Sequence, residues 1–78
     1  NAATSFGHEV TVSRFANINP GAHIAGRVHI GERALVGVGS SILEDRSIGG
    51  DARVGAGAVV TKDVPPASTV AGVPATPL

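Results

Sequence analysis

The chain has 78 residues and a formal net charge of zero, with six basic residues against six acidic ones. It contains no Cys, which excludes a disulfide framework and a thiolate zinc site. Balanced charge argues against a nucleic-acid surface built on bulk electrostatics, and no apolar run approaches the roughly 20 residues a membrane helix needs. Ala, Val and Gly supply 12, 11 and 11 positions, Leu only three, and the aromatics are Phe6 and Phe15. A compact helical domain of this size draws on Leu-rich periodic stretches and on aromatics, so the composition argues against one. The absence of Cys is compatible with the cytosol, and a cytoplasmic location is expected. The chain opens at Asn1 inside a patterned stretch, with no initiator Met, so further residues are expected upstream.

From Phe6 onward every sixth position is large and apolar: Phe6, Val12, Ile18, Ile24, Ile30, Val36, Ile42, Ile48, Val54 and Val60. The positions two earlier are small or β-branched: Val10, Ala16, Ala22, Val28, Ala34, Ser40, Ala52, Ala58 and Val64, with Arg46 as the exception. Two inward side chains separated by one outward residue are strand chemistry, because side chains alternate faces. A small or turn-prone residue often follows the large one, as at Gly7, Ser13, Asn19, Gly31, Gly37, Gly49 and Gly55. Gly at these positions is read as supplying the φ > 0 of a tight corner. Short strands and corners therefore alternate from about residue 4 to residue 64 and wind the chain into a prism. Arg46 predicts a local bulge or an outward-turned side chain. Glu44-Asp45-Arg46 and Gly49-Gly50 read as ordinary surface and corner residues. The period then fails at Val64-Pro65-Pro66, since Pro has no N–H to give a ladder. Residues 65–78 are expected to form an exit loop and tail, with Val70 and Val73 packing back on the last coil.

Four segments carry a family resemblance: Asn1 with Gly7-His8-Glu9; Asn19-Pro20-Gly21-Ala22; Gly26-Arg27-Val28-His29-Ile30-Gly31; and the run Val54 to Pro66 followed by Ala71-Gly72-Val73-Pro74-Ala75. On these the chain resembles the hexapeptide-repeat acyltransferases. Within them it is most similar to the sialic acid O-acetyltransferases and the bacillosamine-pathway sugar N-acetyltransferases. The resemblance implies a left-handed parallel β-helix with three hexads per coil, about three to four coils here, over residues 1–64. Val12, Ile30 and Ile48 would then stack, as would Ile18, Val36 and Val54, and Ile24, Ile42 and Val60. Family members commonly carry an N-terminal nucleotide-sugar-binding domain; these 78 residues do not include one, as expected of a piece of a longer protein.

The resemblance also assigns roles. His8 becomes the general base, a task suited to an imidazole with an unperturbed pKa of about 6.5. Glu9 would orient it, provided a corner brings adjacent side chains to one site. Taken alone, His8 reads as a solvated corner residue. Acetyl-CoA is the implied donor, its arm lying along Gly26, Val38, Gly39, Ala56 and Gly57, with Pro74 near the adenine and Lys62 facing a phosphate. Asn1 and Asn17 are implied in acceptor binding, Asn17 standing where many relatives have a second His. Thr76 stands where relatives often have a basic residue. The resemblance further implies a sugar or nucleotide-sugar amine or hydroxyl as acceptor, and a homotrimer with the site between subunits. No metal, nucleic acid or membrane partner is expected. Two other readings stay open: a β-helical trimerisation module without activity, and a γ-carbonic-anhydrase-like metal enzyme using His8, His23 and His29. The spacing of those histidines does not match that family's pattern, and His23 and His29 read as outward-facing residues on neighbouring faces.

Overall fold

A computed structural model describes residues 4–78. Its elements follow the six-residue period: β1 (Ser5–Phe6), β2 (Thr11–Val12), β3 (Asn17–Ile18), β4 (His23–Ile24), β5 (His29–Ile30), β6 (Leu35–Val36), β7 (Ser41–Ile42), β8 (Ser47–Ile48), β9 (Arg53–Val54) and β10 (Val59–Val60). Two more close the chain, β11 (Thr69–Ala71) and β12 (Thr76–Pro77). The described residues contain no helix.

Each of β1 to β7 pairs in parallel with the strand 18 residues on, as in Phe6↔Ile24, Val12↔Ile30 and Ile18↔Val36, and β11 pairs antiparallel with β12. Three sheets result, and they form the faces of a prism: β1-β4-β7-β10, β2-β5-β8, and β3-β6-β9-β11-β12. We call these the first, second and third faces. The fold is a left-handed parallel β-helix, all-β, of about four turns. The three stacked columns fall where the period predicts, with Ile30 above Val12 and below Ile48, and likewise through the other two.

The large inward residue of each hexad is accompanied by a small one two positions earlier. Ile24, Ile30, Val36, Ile42, Ile48, Val54 and Val60 are buried together with Ala22, Val28, Ala34, Ser40, Ala52 and Ala58. Ser40 is the polar member, and its hydroxyl donates to the Gly37 carbonyl. A buried hydroxyl without such a partner would cost about 1–3 kcal/mol. In the first described coil Phe6 is 51% exposed, whereas Ile24, the next residue of its column, is 2% exposed.

The corners differ from the expectation in one respect. The left-handed backbone recurs every six residues, but three positions after the large residue rather than one. It is held by Glu9, Phe15, Gly21, Arg27, Arg33, Gly39, Asp45, Asp51 and Gly57. The glycine next to the large residue serves packing instead. A Cβ on Gly31 would lie 2.5 Å from the Gly50 nitrogen, and one on Gly7 2.5 Å from the Gly26 nitrogen. The coils stack too closely there for any side chain.

Past Val60 the step shortens. Val64 bridges Ile48, and Thr69-Val70 pairs with Arg53-Val54, each 16 residues back rather than 18. The parallel ladder thus runs beyond residue 64, where the prolines suggested its end. Pro66 and Ala67 occupy a turn, and the first amide after the two prolines, Ala67 N–H, donates to the Gly50 carbonyl at 2.9 Å. Two residues are dropped, and the missing donors fall in a corner that makes no strand bonds. Val70 is buried as expected, but Val73 is 73% exposed and does not pack back. Arg46 causes no bulge, since the His29↔Ser47 register holds. Its side chain turns outward, with Nε donating to the Glu44 carbonyl at 3.1 Å.

Two glycine substitutions separate these causes. Gly31→Ala is expected to lower stability by about 2 kcal/mol or more, because backbone must move to admit the methyl group. Gly39→Ala meets no atom within 4 Å and carries only left-handed strain, about 1 kcal/mol. Urea unfolding midpoints check this, and equal losses would contradict the packing assignment.

Candidate functional site

The prism has three corners, and the 18-residue coil stacks like positions at each. The first corner, between the first and second faces, contains residues 7–9, 25–27, 43–45 and 61–63. The second, between the second and third faces, contains residues 13–15, 31–33, 49–51 and 65–67. The third, between the third and first faces, contains residues 19–21, 37–39, 55–57 and 71–73. Because these columns are set by the coil alone, sequence positions 18 apart become neighbours whatever their separation along the chain.

The expected site residues divide between two of these corners. His8, Glu9, Gly26 and Lys62 lie on the first corner, and Val38, Gly39, Ala56 and Gly57 on the third. Asn17 is on the outer side of the third face. Asn1 lies outside the described residues. Pro74 belongs to the exit segment, where a cavity of about 380 Å³ is lined by Val60, Lys62, Val70, Pro74 and Thr76 among others. Lys62, expected to face a phosphate, and Pro74, expected near the adenine, both line this pocket.

Gly26 lies over His8, and Arg27 N–H donates to the His8 carbonyl at 2.7 Å. A Cβ on Gly26 would sit 3.3 Å from that carbonyl oxygen, so glycine keeps the space above His8 open. Glu9 adopts the left-handed conformation, φ 60°, and its charge acts on Arg27 one coil above. His8 is exposed.

Charge at the first two corners is arranged in pairs one coil apart. Arg27 grips Asp45 with Nε at 2.7 Å and a second nitrogen at 3.0 Å. Arg33 grips Asp51 in the same fashion, at 2.9 and 3.0 Å. In each pair the guanidinium hydrogen bonds hold the carboxyl below its ordinary pKa and raise that of the arginine. These pairs hold left-handed positions together across coils, so they brace the corners against the strain that non-Gly residues carry there.

The third corner contrasts with both. Its left-handed positions are Gly21, Gly39 and Gly57, whereas the other corners hold the same backbone with Glu, Phe, Arg and Asp. Corner geometry therefore does not demand glycine. Nor does packing: a Cβ on Gly39 or Gly57 would meet nothing within 4 Å. Val38 stands beside this strip, 56% exposed. The third corner is bare, smooth and open, the form expected where a ligand approaches the backbone.

Two features lay outside the sequence reading. Ser5 Oγ and His23 Nδ1 are 2.7 Å apart on the outer side of the first face. The Arg–Asp pairs are the other. Both signals are present in the sequence as an 18-residue spacing between complementary side chains. His23 and His29 occupy different faces, and among the described residues no group of three or more His, Asp or Glu is placed to hold one metal ion.

A repeated six-residue period with three strands per coil defines the hexapeptide-repeat class of β-helix. Comparison with known proteins agrees. No protein-family model matches the chain. It is 39% identical over 70 residues to a serine acetyltransferase of Mycobacterium tuberculosis, covering 87% of this chain and 31% of that protein. Among solved structures it superposes on the acetyltransferase domain of PglB from Neisseria gonorrhoeae, with TM-score 0.97 and 40% identity over all of this chain and 38% of that one. It also matches a mutant perosamine N-acetyltransferase from Caulobacter crescentus in complex with CoA and GDP-perosamine, with TM-score 0.89 and 37% identity over 90% of this chain and 33% of that one. The chain spans about a third of the length of these relatives. Along its coils the chain is similar to hexapeptide-repeat acetyltransferases. No helix among the described residues is long and apolar enough to cross a membrane.

The paired carboxylates make stability depend on acid in a defined direction. A carboxyl whose pKa is lowered in the fold contributes stability above its unfolded value, near pH 4, and loses it as pH falls through the folded value. Thermal melts should therefore be level from neutral pH to about pH 4 and drop below it. Asp45→Asn and Asp51→Asn should each melt lower at neutral pH and show a shallower acid drop, and added salt should narrow the difference from wild type. An unchanged acid profile in the double variant would contradict the assignment.

Proposed function

We propose that the chain is the donor-binding and base-carrying part of an acetyl-CoA-dependent acetyltransferase acting on an amino or hydroxyl group of a sugar or nucleotide-sugar. The observation that carries this reading is the third corner, where glycine occupies every left-handed position without any demand from geometry or packing. The pantetheine arm of CoA is a chain of amides, and an exposed parallel coil edge offers it N–H and C=O partners at a close approach. Val38, Gly39, Ala56 and Gly57 form this track, with Lys62 and Pro74 at the terminal pocket on the nucleotide. Neighbouring structures support the donor: the PglB acetyltransferase domain has been solved with acetyl coenzyme A, and the perosamine N-acetyltransferase with CoA.

In the reaction His8 takes the proton of the acceptor amine or hydroxyl as that group attacks the thioester carbonyl. The new C–N or C–O bond forms, the C–S bond breaks, and the CoA thiolate leaves and takes up a proton. Transfer in this reading is direct, by attack of the acceptor on the thioester in a ternary complex; with no Cys the chain offers no thiol acyl-enzyme. Glu9 and Arg27 supply the charged surroundings of His8, and Asn17 and Asn1 belong with the acceptor.

His8 and the glycine strip stand on different corners of one prism, separated by the first face. A site using both is completed when one copy's first corner meets another's third. This supports a homotrimer with the site between subunits. We place the enzyme in the cytoplasm, with its acetyl-CoA supply. The likeness to a serine acetyltransferase favours a second reading, with an amino-acid hydroxyl as acceptor.

Two variants test the assignment. His8→Ala should lose turnover by about a hundredfold or more, the usual contribution of a general base, while acetyl-CoA binding by calorimetry stays unchanged. Gly57→Asn keeps a residue tolerant of φ > 0 but puts a side chain on the strip. It should fold normally and bind acetyl-CoA about tenfold or more weaker, the cost of displacing one well-placed contact. Normal affinity in Gly57→Asn would remove the third corner as the donor track. Turnover of serine in place of amino sugars would select the second acceptor.

A further inference from the structure

The acidic side chains are segregated. Glu9, Glu44, Asp45 and Asp63 fall on the first corner, and Glu32 and Asp51 on the second. The third corner carries no charged side chain at all. The outer columns that border it are Ser5, His23, Ser41 and Val59 on the first face, and Asn17, Leu35, Arg53 and Thr69 on the third. Among Asp, Glu, Lys and Arg, Arg53 alone stands there.

Most of the other cations are engaged. Arg27 and Arg33 hold Asp45 and Asp51. Arg46 lies 3.9 Å from Asp63, and Arg14 lies over the Phe15 ring at 5.8 Å from its centroid. Lys62 shares its corner with Asp63. Arg53 is exposed and makes no ion pair with any described residue. Its neighbour below is Leu35, in register one coil away. Above it is Thr69. The strand that bears Arg53 leads directly into Gly55-Ala56-Gly57, the bare strip.

An unopposed guanidinium beside a carboxylate-free, ligand-permissive corner creates a local positive field with no intramolecular counter-charge. Its planar fork matches phosphate geometry with two parallel hydrogen bonds. We infer that Arg53 binds a phosphate of the thioester donor lying on the third corner, and that it sets the preference for a phosphorylated donor over a neutral thioester. The inference rests on the donor reading of that corner and assigns it a charge-reading residue.

The test compares two donors on the whole chain by NMR titration. Acetyl-CoA carries phosphates; S-acetylpantetheine has the same thioester and amide arm with none. Arg53→Gln should weaken acetyl-CoA about tenfold or more, as loss of a charged hydrogen bond does, and leave S-acetylpantetheine unchanged. Arg53→Lys should recover part of the loss, and the wild-type preference for acetyl-CoA should shrink as salt rises. Circular dichroism and sedimentation of each variant show whether fold and assembly are kept. Equal affinities of wild type and Arg53→Gln for acetyl-CoA would overturn the role of Arg53 while leaving the donor corner standing. Equal weakening of both donors would overturn it too, by showing an effect on shape rather than on phosphate. A wild-type chain that binds neither thioester would overturn the donor reading itself, and the role of Arg53 with it.

Discussion

The 18-residue stacking register is the constraint from which the rest of this molecule follows. Strands of two residues cannot hold themselves, and one coil cannot bury its own apolar residues. Each coil is stabilised by the coil above it, through parallel backbone bonds at the strands and through columns of Val and Ile inside. The same register brings the Gly31 and Gly50 backbones so close that a single methyl group is excluded. It also aligns Arg27 with Asp45, and Arg33 with Asp51, which no shorter-range rule would pair.

Stacking turns corner chemistry into linear tracks. Two corners use their columns for charge, and those charges compensate one another along the prism axis. The third uses its column for absence of side chains. Function on such a scaffold is a matter of which corner is left bare and what borders it. The narrow interior, filled by aliphatic side chains, leaves no room for a ligand, so a binding site must lie on the outside and draw its second wall from elsewhere. Separation of His8 from the glycine strip within one chain is consistent with that demand.

Much of the architecture was legible in the sequence because the inward positions recur without a break from Phe6 to Val60. The stacked columns follow from that period once three hexads make a coil. Legibility ended where spacing changed. Val64 and Val70 keep their inward places only because two residues drop out, and a reading that required a multiple of six stopped at the prolines. The corner glycines were read with the wrong cause. Gly31 is small for want of space, while Glu9 and Arg33 bear the left-handed backbone that glycine was expected to supply. The Ser5–His23 contact and the arginine pairs are invisible to adjacency along the chain, because each partner stands one coil away. Exposure of Val73 has the opposite lesson: an apolar residue beyond the last coil has no column to join.

The bare third corner is the central claim, and amide chemical-shift mapping tests it most directly. Titrated with CoA, the chain should show its largest perturbations at residues 19–21, 37–39 and 55–57, with the arginine-bearing second corner unmoved. Perturbations centred on the second corner, or none at any CoA concentration that saturates a known relative, would contradict the account.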